Sequence, residues 1–280
     1  MEEILEFFID GNREEVKVGD TTPFLFGKDE FLSGKDTDLT YNQDWYERGY
    51  TEVKFLSDEE FNDLKNGLIV SIGKIIKEEL SIDVEGFNLQ NYHEFVKSDE
   101  DHFKVISRTR DLYPENFNFP ITDLYPRLSK ILGFELTDYD PREKQGIIVR
   151  INRPHSKDFN PPHKDIYQGV DEEDSWIPQL VNFWIPIAGV TEKSSLPMAP
   201  RSHLINENKV LRTFDGAYVE GKKYSVRTVK SWNSENSFER SKVKEGEVLI
   251  FSSHLIHGLA SNHENNLTRV ALEFRLFKAQ

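Results

Sequence analysis

The 280-residue sequence predicts an α+β chain forming one domain, a helix-rich part over 1–145 followed by a mainly β part over 146–280. Three observations carry this. Apolar residues recur at helical spacing in the first half, short runs rich in Val, Ile and Phe bounded by Gly, Pro and Asn fill the second, and no linker divides the two. Helices followed by strands in this order are expected to pack on one face of a sheet or barrel.

The first helix is expected at Ser57, where Ser57-Asp58-Glu59-Glu60 has the form of a capping box ahead of Phe61, Leu64, Leu68, Ile72, Ile75 and Ile76. A second helical pattern runs through "NYHEFVKSDEDHFKVI". A third, opened by Pro120, places Ile121, Leu124, Leu128, Ile131 and Leu132 on one side. Beyond Pro141, strands are expected in "GIIVRINRP", "LVNFWIPIAGV", "AYVEGKKYSVRTV", "GEVLIFSSHLIHG" and "RVALEFRLF". In the last of these, Val270, Leu272, Phe274 and Leu276 form an apolar face, and Arg269, Ala271, Glu273 and Arg275 the other.

Composition narrows the function. With 20 Phe, 10 Tyr and 4 Trp the chain can bury a real core. A formal charge of −14 makes nucleic acid and anionic membranes poor partners and tilts the expectation toward a neutral or cationic small-molecule substrate, unless a local basic pocket overrides it. Without cysteine, any metal must take His, Asp or Glu. The acidic opening "MEEILEFFIDGNREE" does not read as a signal peptide, and "GLIVSIGKII", broken by Lys74, is far short of a bilayer span. A cytoplasmic protein is expected, with its oligomeric state open because no heptad or exposed apolar stripe stands out.

The chemistry centres on "FNPPHKDIYQG". In an extended strand, side chains two apart point the same way, about 6.7 Å along the chain, so His163 and Asp165 can converge on one ion while Lys164 faces away. The third ligand is expected at His257 in "SSHLIHG", with His254, three positions earlier, on the opposite strand face. Two neutral imidazoles and one carboxylate form the facial triad of non-haem Fe(II) oxygenases, leaving positions open for a cosubstrate and dioxygen. An isolated H-x-D is more often a solvated hydrogen-bonding motif. The context here is Arg269, whose guanidinium can grip the far carboxylate of a 2-oxo diacid if its strand face lines a barrel mouth, and simply meets water if not.

"PPHKD", "NFWIPIAGVTEKSSLPMAPRSH" and "EGEVLIFSSHLIHGLASNHENNLTRVALEFR", in this order and spacing, resemble the phytanoyl-CoA dioxygenase family of Fe(II)- and 2-oxoglutarate-dependent oxygenases over roughly residues 146–277. The resemblance implies a double-stranded β-helix (jelly-roll, cupin-like) core with the N-terminal helices on one sheet. It implies Fe(II) held by His163, Asp165 and His257, the distal carboxylate of 2-oxoglutarate on Arg269, Trp184 near that cosubstrate, and O2 as second cosubstrate. The implied reaction hydroxylates a C–H bond of a small metabolite and releases succinate and CO2. Asp165 stands where related halogenases have a small residue, which favours hydroxylation, and phytanoyl-CoA itself is not implied. Where the family has glycine in a proline-glycine-serine-histidine turn, this chain has Arg201, which puts that turn's geometry in question.

Other residues read two ways. Asn182 shares Trp184's strand face and is a candidate cosubstrate contact, or a buried amide satisfied by backbone. Arg275 can contact substrate, take the carboxylate role, or pair with Glu273. Arg150 and Asn152 can face substrate or pair with the surplus acids. His155, His203 and His263 lack partners at ligand spacing. The 217–232 segment reads as a hairpin insertion, either part of a substrate lid or a plain sheet edge. The competing functions are a non-catalytic cupin-like small-molecule-binding β-barrel and a zinc or iron hydrolase.

Overall fold

The computed structural model describes residues 3–19, 23–110, 112–114, 117, 119–140, 143–144, 146–170 and 176–279. Strands open the chain, well ahead of the first expected helix. β1 (Glu3–Ile9) and β2 (Asn12–Val18) form an antiparallel hairpin. Its turn residues Asp10 and Gly11 have φ of 49° and 80°, as a two-residue type I′ turn requires. Leu5, Phe7, Ile9, Val16 and Val18 are buried at period two, so alternation around an Asp-Gly is the signal that marks this hairpin. β3 (Leu25–Phe26) and β4 (Tyr50–Lys54) also precede the first helix. The first half is therefore mixed rather than mainly helical.

The predicted helices form. In α1 (Asp58–Leu80) the Glu60 N–H donates to Ser57 Oγ at 3.2 Å and the Ser57 N–H to Glu60 Oε2 at 2.8 Å, completing the capping box. Phe61, Leu64, Leu68, Ile72 and Ile76 are buried along one stripe. The second pattern splits into α2 (Tyr92–Phe95) and α3 (Asp99–Ser107), because Ser98 caps a new start by accepting the Asp101 N–H at 3.0 Å. α4 (Leu124–Leu132) follows a single 3-10 turn and stops at Gly133, whose left-handed φ of 80° ends it.

The remaining elements are β5 (Leu136–Thr137), β6 (Tyr139–Asp140), β7 (Glu143–Lys144), β8 (Ile148–Asn152), α5 (Tyr167–Val170), β9 (Leu180–Ala188), β10 (Pro197–Met198), β11 (Val210–Arg212), β12 (Ala217–Val219), β13 (Lys222–Tyr224), β14 (Val229–Trp232), β15 (Ser237–Arg240), β16 (Glu247–Ser252) and β17 (Arg269–Lys278). The larger sheet runs β4-β16-β9-β17-β5, with β8 also pairing β17. A second runs β10-β15-β1-β2-β12-β13, and a small third runs β14-β11-β3.

Alternation along the larger sheet separates two environments. Phe183, Ile185, Val248, Ile250, Val270, Leu272, Phe274 and Leu276 point outward and pack with Leu64, Leu68, Leu124 and Leu128 of the helices in one core. Trp184, Leu249, Phe251 and Ala271 point inward and meet Leu196 and Met198 beside the second sheet. Helices on one face of a curled sheet, with a second sheet against the other, make the expected α+β jelly-roll core.

Leu128→Ala, in the helix-sheet core, is expected to lower the unfolding free energy by about 2–5 kcal/mol in urea titrations. Val70→Ala, on the exposed side of α1, should change it by less than about 0.5 kcal/mol. Burial pushes the His102 and His203 imidazoles down to about 4, whereas unfolded imidazoles titrate near 6.5. The unfolded chain then binds more protons in that window, so stability is full above pH of about 6.5 and falls as pH drops toward 4. His102→Gln should flatten that slope in stability measured against pH.

Candidate metal centre

His163 and His257, far apart in sequence, sit side by side because their backbones pair. The His163 N–H donates to His257 O at 3.0 Å and the His257 N–H to His163 O at 3.1 Å, an antiparallel bridge outside the named strands. Their rings lie 4.4 Å apart between centroids. Each Nδ1 faces a carbonyl two residues back, Pro161 O at 2.7 Å and Leu255 O at 3.1 Å. A carbonyl only accepts, so each Nδ1 carries the proton and each Nε2 presents a lone pair.

The expected strand geometry is not what brings Asp165 in. The chain leaves the bridge after His163 and turns toward α5, tied by the Asp165 N–H to Ser253 O at 3.1 Å. That turn places Asp165 Oδ1 at 3.6 Å from His163 Nε2 and Oδ2 at 3.6 Å from His257 Nε2. One donor atom from each of the three lies within 4.8 Å of the others. Metal–ligand bonds of about 2.1 Å put adjacent donors about 3 Å apart, so a slight contraction suffices to close the set on an ion.

Electrostatics hold these groups in ligand form. Burial, reinforced by His163, pushes His257 down to about 4, leaving it neutral at physiological pH. Burial alone would raise the Asp165 carboxyl, but Arg275 and the two imidazoles hold it well below the usual carboxylate range. Arg275 Nη2 donates to Asp165 Oδ1 and Asn182 Nδ2 to Oδ2, each at 2.7 Å. Each oxygen keeps a second lone pair for a cation. Behind the turn, Lys164 faces away as expected, its Nζ 2.6 Å from Glu207 Oε1, while the Tyr167 hydroxyl donates to Oε2 at 2.8 Å. This buried pair anchors the residue between the two ligands.

Arg269 is buried at the start of β17 with its guanidinium carbon 5.5 Å from the Trp184 ring centroid. Nη2 donates to Asn152 Oδ1, but among the described residues Nε and Nη1 have no hydrogen-bond partner, and neither does Trp184 Nε1. Burial, then Arg240 and Arg150, push this guanidinium down to about 9. A buried cation without an anion is costly, and a carboxylate arriving there would relieve it, so the donor set fits a dicarboxylate cosubstrate. Asn182, expected to reach the cosubstrate, spends its amide N–H on Asp165 and keeps only Oδ1 unpartnered.

Arg150 pairs with Glu273 through two bonds of 2.9 Å, and Arg275 reaches the same carboxylate at 3.2 Å. Arg150, Asn152 and Arg275 all line a cavity of about 1010 Å³ that reaches His163 and Asp165. His254 is buried away from the triad, its Nε2 donating to Thr37 O at 3.1 Å. His155, His203 and His263 bond Asn265, the Tyr46 carbonyl and Glu14. Arg201 takes the left-handed φ of 66° that a glycine would supply, so the turn forms despite the substitution. The 217–232 segment divides: β12 and β13 form a hairpin on the second sheet beside the cavity, while β14 belongs to the third sheet.

A family model described as Phytanoyl-CoA dioxygenase (PhyH) matches residues 45–271. No curated protein matches the chain. Among solved structures, EvdMO1 is 14% identical with a TM-score of 0.45, covering 84% of this chain and 49% of its own, so the present chain spans about half of its length. AviO1 from Streptomyces viridochromogenes Tue57 is 14% identical, TM-score 0.44, covering 84% and 91%. EctD from S. alaskensis is 12% identical, TM-score 0.47, covering 92% and 85%.

Gly258 follows the distal histidine with φ of +137°, and a Cβ there would lie 2.6 Å from Pro161 O. Gly258→Ala should therefore push the Pro161–His163 segment off the bridge and cost about 1–3 kcal/mol by urea denaturation. The rise in melting temperature on adding Co(II) should shrink with it. Gly34→Ala, whose Cβ meets nothing nearer than Thr37 Oγ1 at 3.7 Å, should leave both unchanged.

Proposed function

The chain belongs to the phytanoyl-CoA dioxygenase family of Fe(II)- and 2-oxoglutarate-dependent oxygenases, and from that premise we propose that it hydroxylates a C–H bond of a small molecule with His163, Asp165 and His257 as the iron ligands. The observation that carries the ligand assignment is the convergence of two Nε2 lone pairs and one ionised carboxylate within 4.8 Å. When bound, iron and 2-oxoglutarate, with dioxygen, supply the oxidising chemistry and release succinate and CO2.

The chain's own residues position and shield. Arg269 holds the distal carboxylate of 2-oxoglutarate through its unpartnered Nε and Nη1, with Trp184 as the adjacent wall. Asn182 and Arg275 fix the Asp165 carboxylate so that it meets the ion in one orientation. Arg275 is engaged by two carboxylates, which leaves the cosubstrate role to Arg269. The cavity beside the triad admits a small-molecule substrate, and we take residues 1–280 as one catalytic domain. No helix among the described residues is long and apolar enough to cross a membrane.

His163→Ala should abolish substrate-dependent succinate formation; retained turnover would refute the ligand assignment. Arg269→Ala should weaken 2-oxoglutarate binding to the iron-loaded protein by at least about thirtyfold in calorimetric titration, with iron binding unchanged. Equal cosubstrate affinity in the two proteins would instead point to a non-catalytic binding barrel.

A further inference from the structure

Although the whole chain is strongly acidic, cations rim the cavity beside the triad. Lys223 among them lies exposed to solvent and Arg227 donates to the Ser225 carbonyl at 3.2 Å, and sorting the rest by partner singles out one. Lys164 is taken by Glu207, and Arg150 and Arg275 share Glu273. Lys222 reaches Asp158 at 3.5 Å, a carboxylate that also accepts from Arg153 at 3.0 Å and lies 3.3 Å from His102. Arg110, which lines the same cavity, has no hydrogen-bond or ion-pair partner among the described residues. Burial and the neighbouring Arg150 push its guanidinium below the ordinary arginine value, and the opposing pull of Tyr224 and Asp158 does not make up the difference.

The same wall is apolar one helical turn and two turns earlier. Phe103 and Ile106 of α3 line the cavity, and Phe103 is 63% exposed. An exposed large apolar ring beside an unpaired guanidinium, in a cavity that runs to the metal ligands, is a recognition surface for a molecule carrying both characters.

Resting on the oxygenase reading above, we propose that the substrate is an amphipathic anion whose carboxylate or phosphate seats on Arg110 while its apolar body lies along Phe103 and Ile106. Arg269 is not among the residues lining this cavity, so the site is separate from the one assigned to the distal carboxylate of 2-oxoglutarate. The negative net charge of the chain does not decide the substrate's sign, because a cavity surrounds its ligand with local charges.

The test uses the full chain without metal or 2-oxoglutarate and two fluorescent probes: 8-anilinonaphthalene-1-sulfonate, and N-phenyl-1-naphthylamine, which has the same aromatic body and no sulfonate. The sulfonate should bind at least about tenfold more tightly than the neutral probe, the worth of one charge-assisted hydrogen bond. Arg110→Ala should erase that margin without changing the neutral probe's affinity, Arg110→Lys should keep most of it, and Arg110→Glu should reverse it. Octanoate or octyl phosphate, but not octanol, should displace the sulfonate probe, and the tighter of the two identifies the oxyanion.

Equal affinity of the two probes for the native protein, or an Arg110→Ala variant that keeps the margin, would overturn the proposal. The visible absorption that appears when 2-oxoglutarate chelates Fe(II) anaerobically reads the oxygenase assignment separately. It should persist in Arg110→Ala and weaken in Arg269→Ala. If it is missing from native protein that retains the probe margin, the oxygenase assignment falls and the anion site stands; the opposite pattern sinks the anion site alone.

Discussion

The paired backbone hydrogen bonds between His163 and His257 are the constraint on which the rest of the site is built. Two neighbours in an antiparallel hydrogen-bonded pair have side chains on the same face, so the bridge sets the two rings beside each other without any help from a metal. The carbonyls of Pro161 and Leu255 then fix the tautomers, and the turn after His163 delivers Asp165 between the two Nε2 atoms. Binding an ion to such a preformed set requires little reorganisation of the chain.

Around that bridge the inner face of β17 carries an unusual load of charge for a buried strand. Glu273 is matched by Arg150 and Arg275, and Asp165 by Arg275 and Asn182. Buried ions are tolerated when matched in this way and are expensive otherwise. Arg269 breaks the pattern, with two unpartnered nitrogens next to the equally unpartnered Trp184 indole N–H. The inner face thus behaves as a surface shaped for an organic acid more than as a core optimised for stability.

How much of this is legible in the sequence depends on whether the signal is local. The capping box at Ser57, the stripes of α1 and α4, and the two-faced β17 follow from spacing alone and form as read. The H-x-D and distal histidine come together, but through a bridge and a turn instead of a continuous strand, because Pro161 and Pro162 lead the chain out of regular pairing. The Arg275–Asp165 and Lys164–Glu207 contacts are invisible in the sequence, since they depend on which segments become neighbours in the fold. The N-terminal hairpin carries a local signal as well, an Asp-Gly turn with alternation on either side, set in a first half otherwise rich in helical spacing.

That hairpin lies outside the 45–271 segment matched by the family model, yet β1 and β2 occupy the middle of the second sheet, with β15 on one side and β12 on the other. Trimming the chain to the matched segment would strip those two neighbours and leave β15 and β12 with bare backbone edges, the raw material of sheet-to-sheet aggregation. It would also sever β17 after its third residue, discarding Glu273 and Arg275. Similarity and mechanical integrity therefore have different borders in this molecule, and an excision guided by the first would dismantle the second.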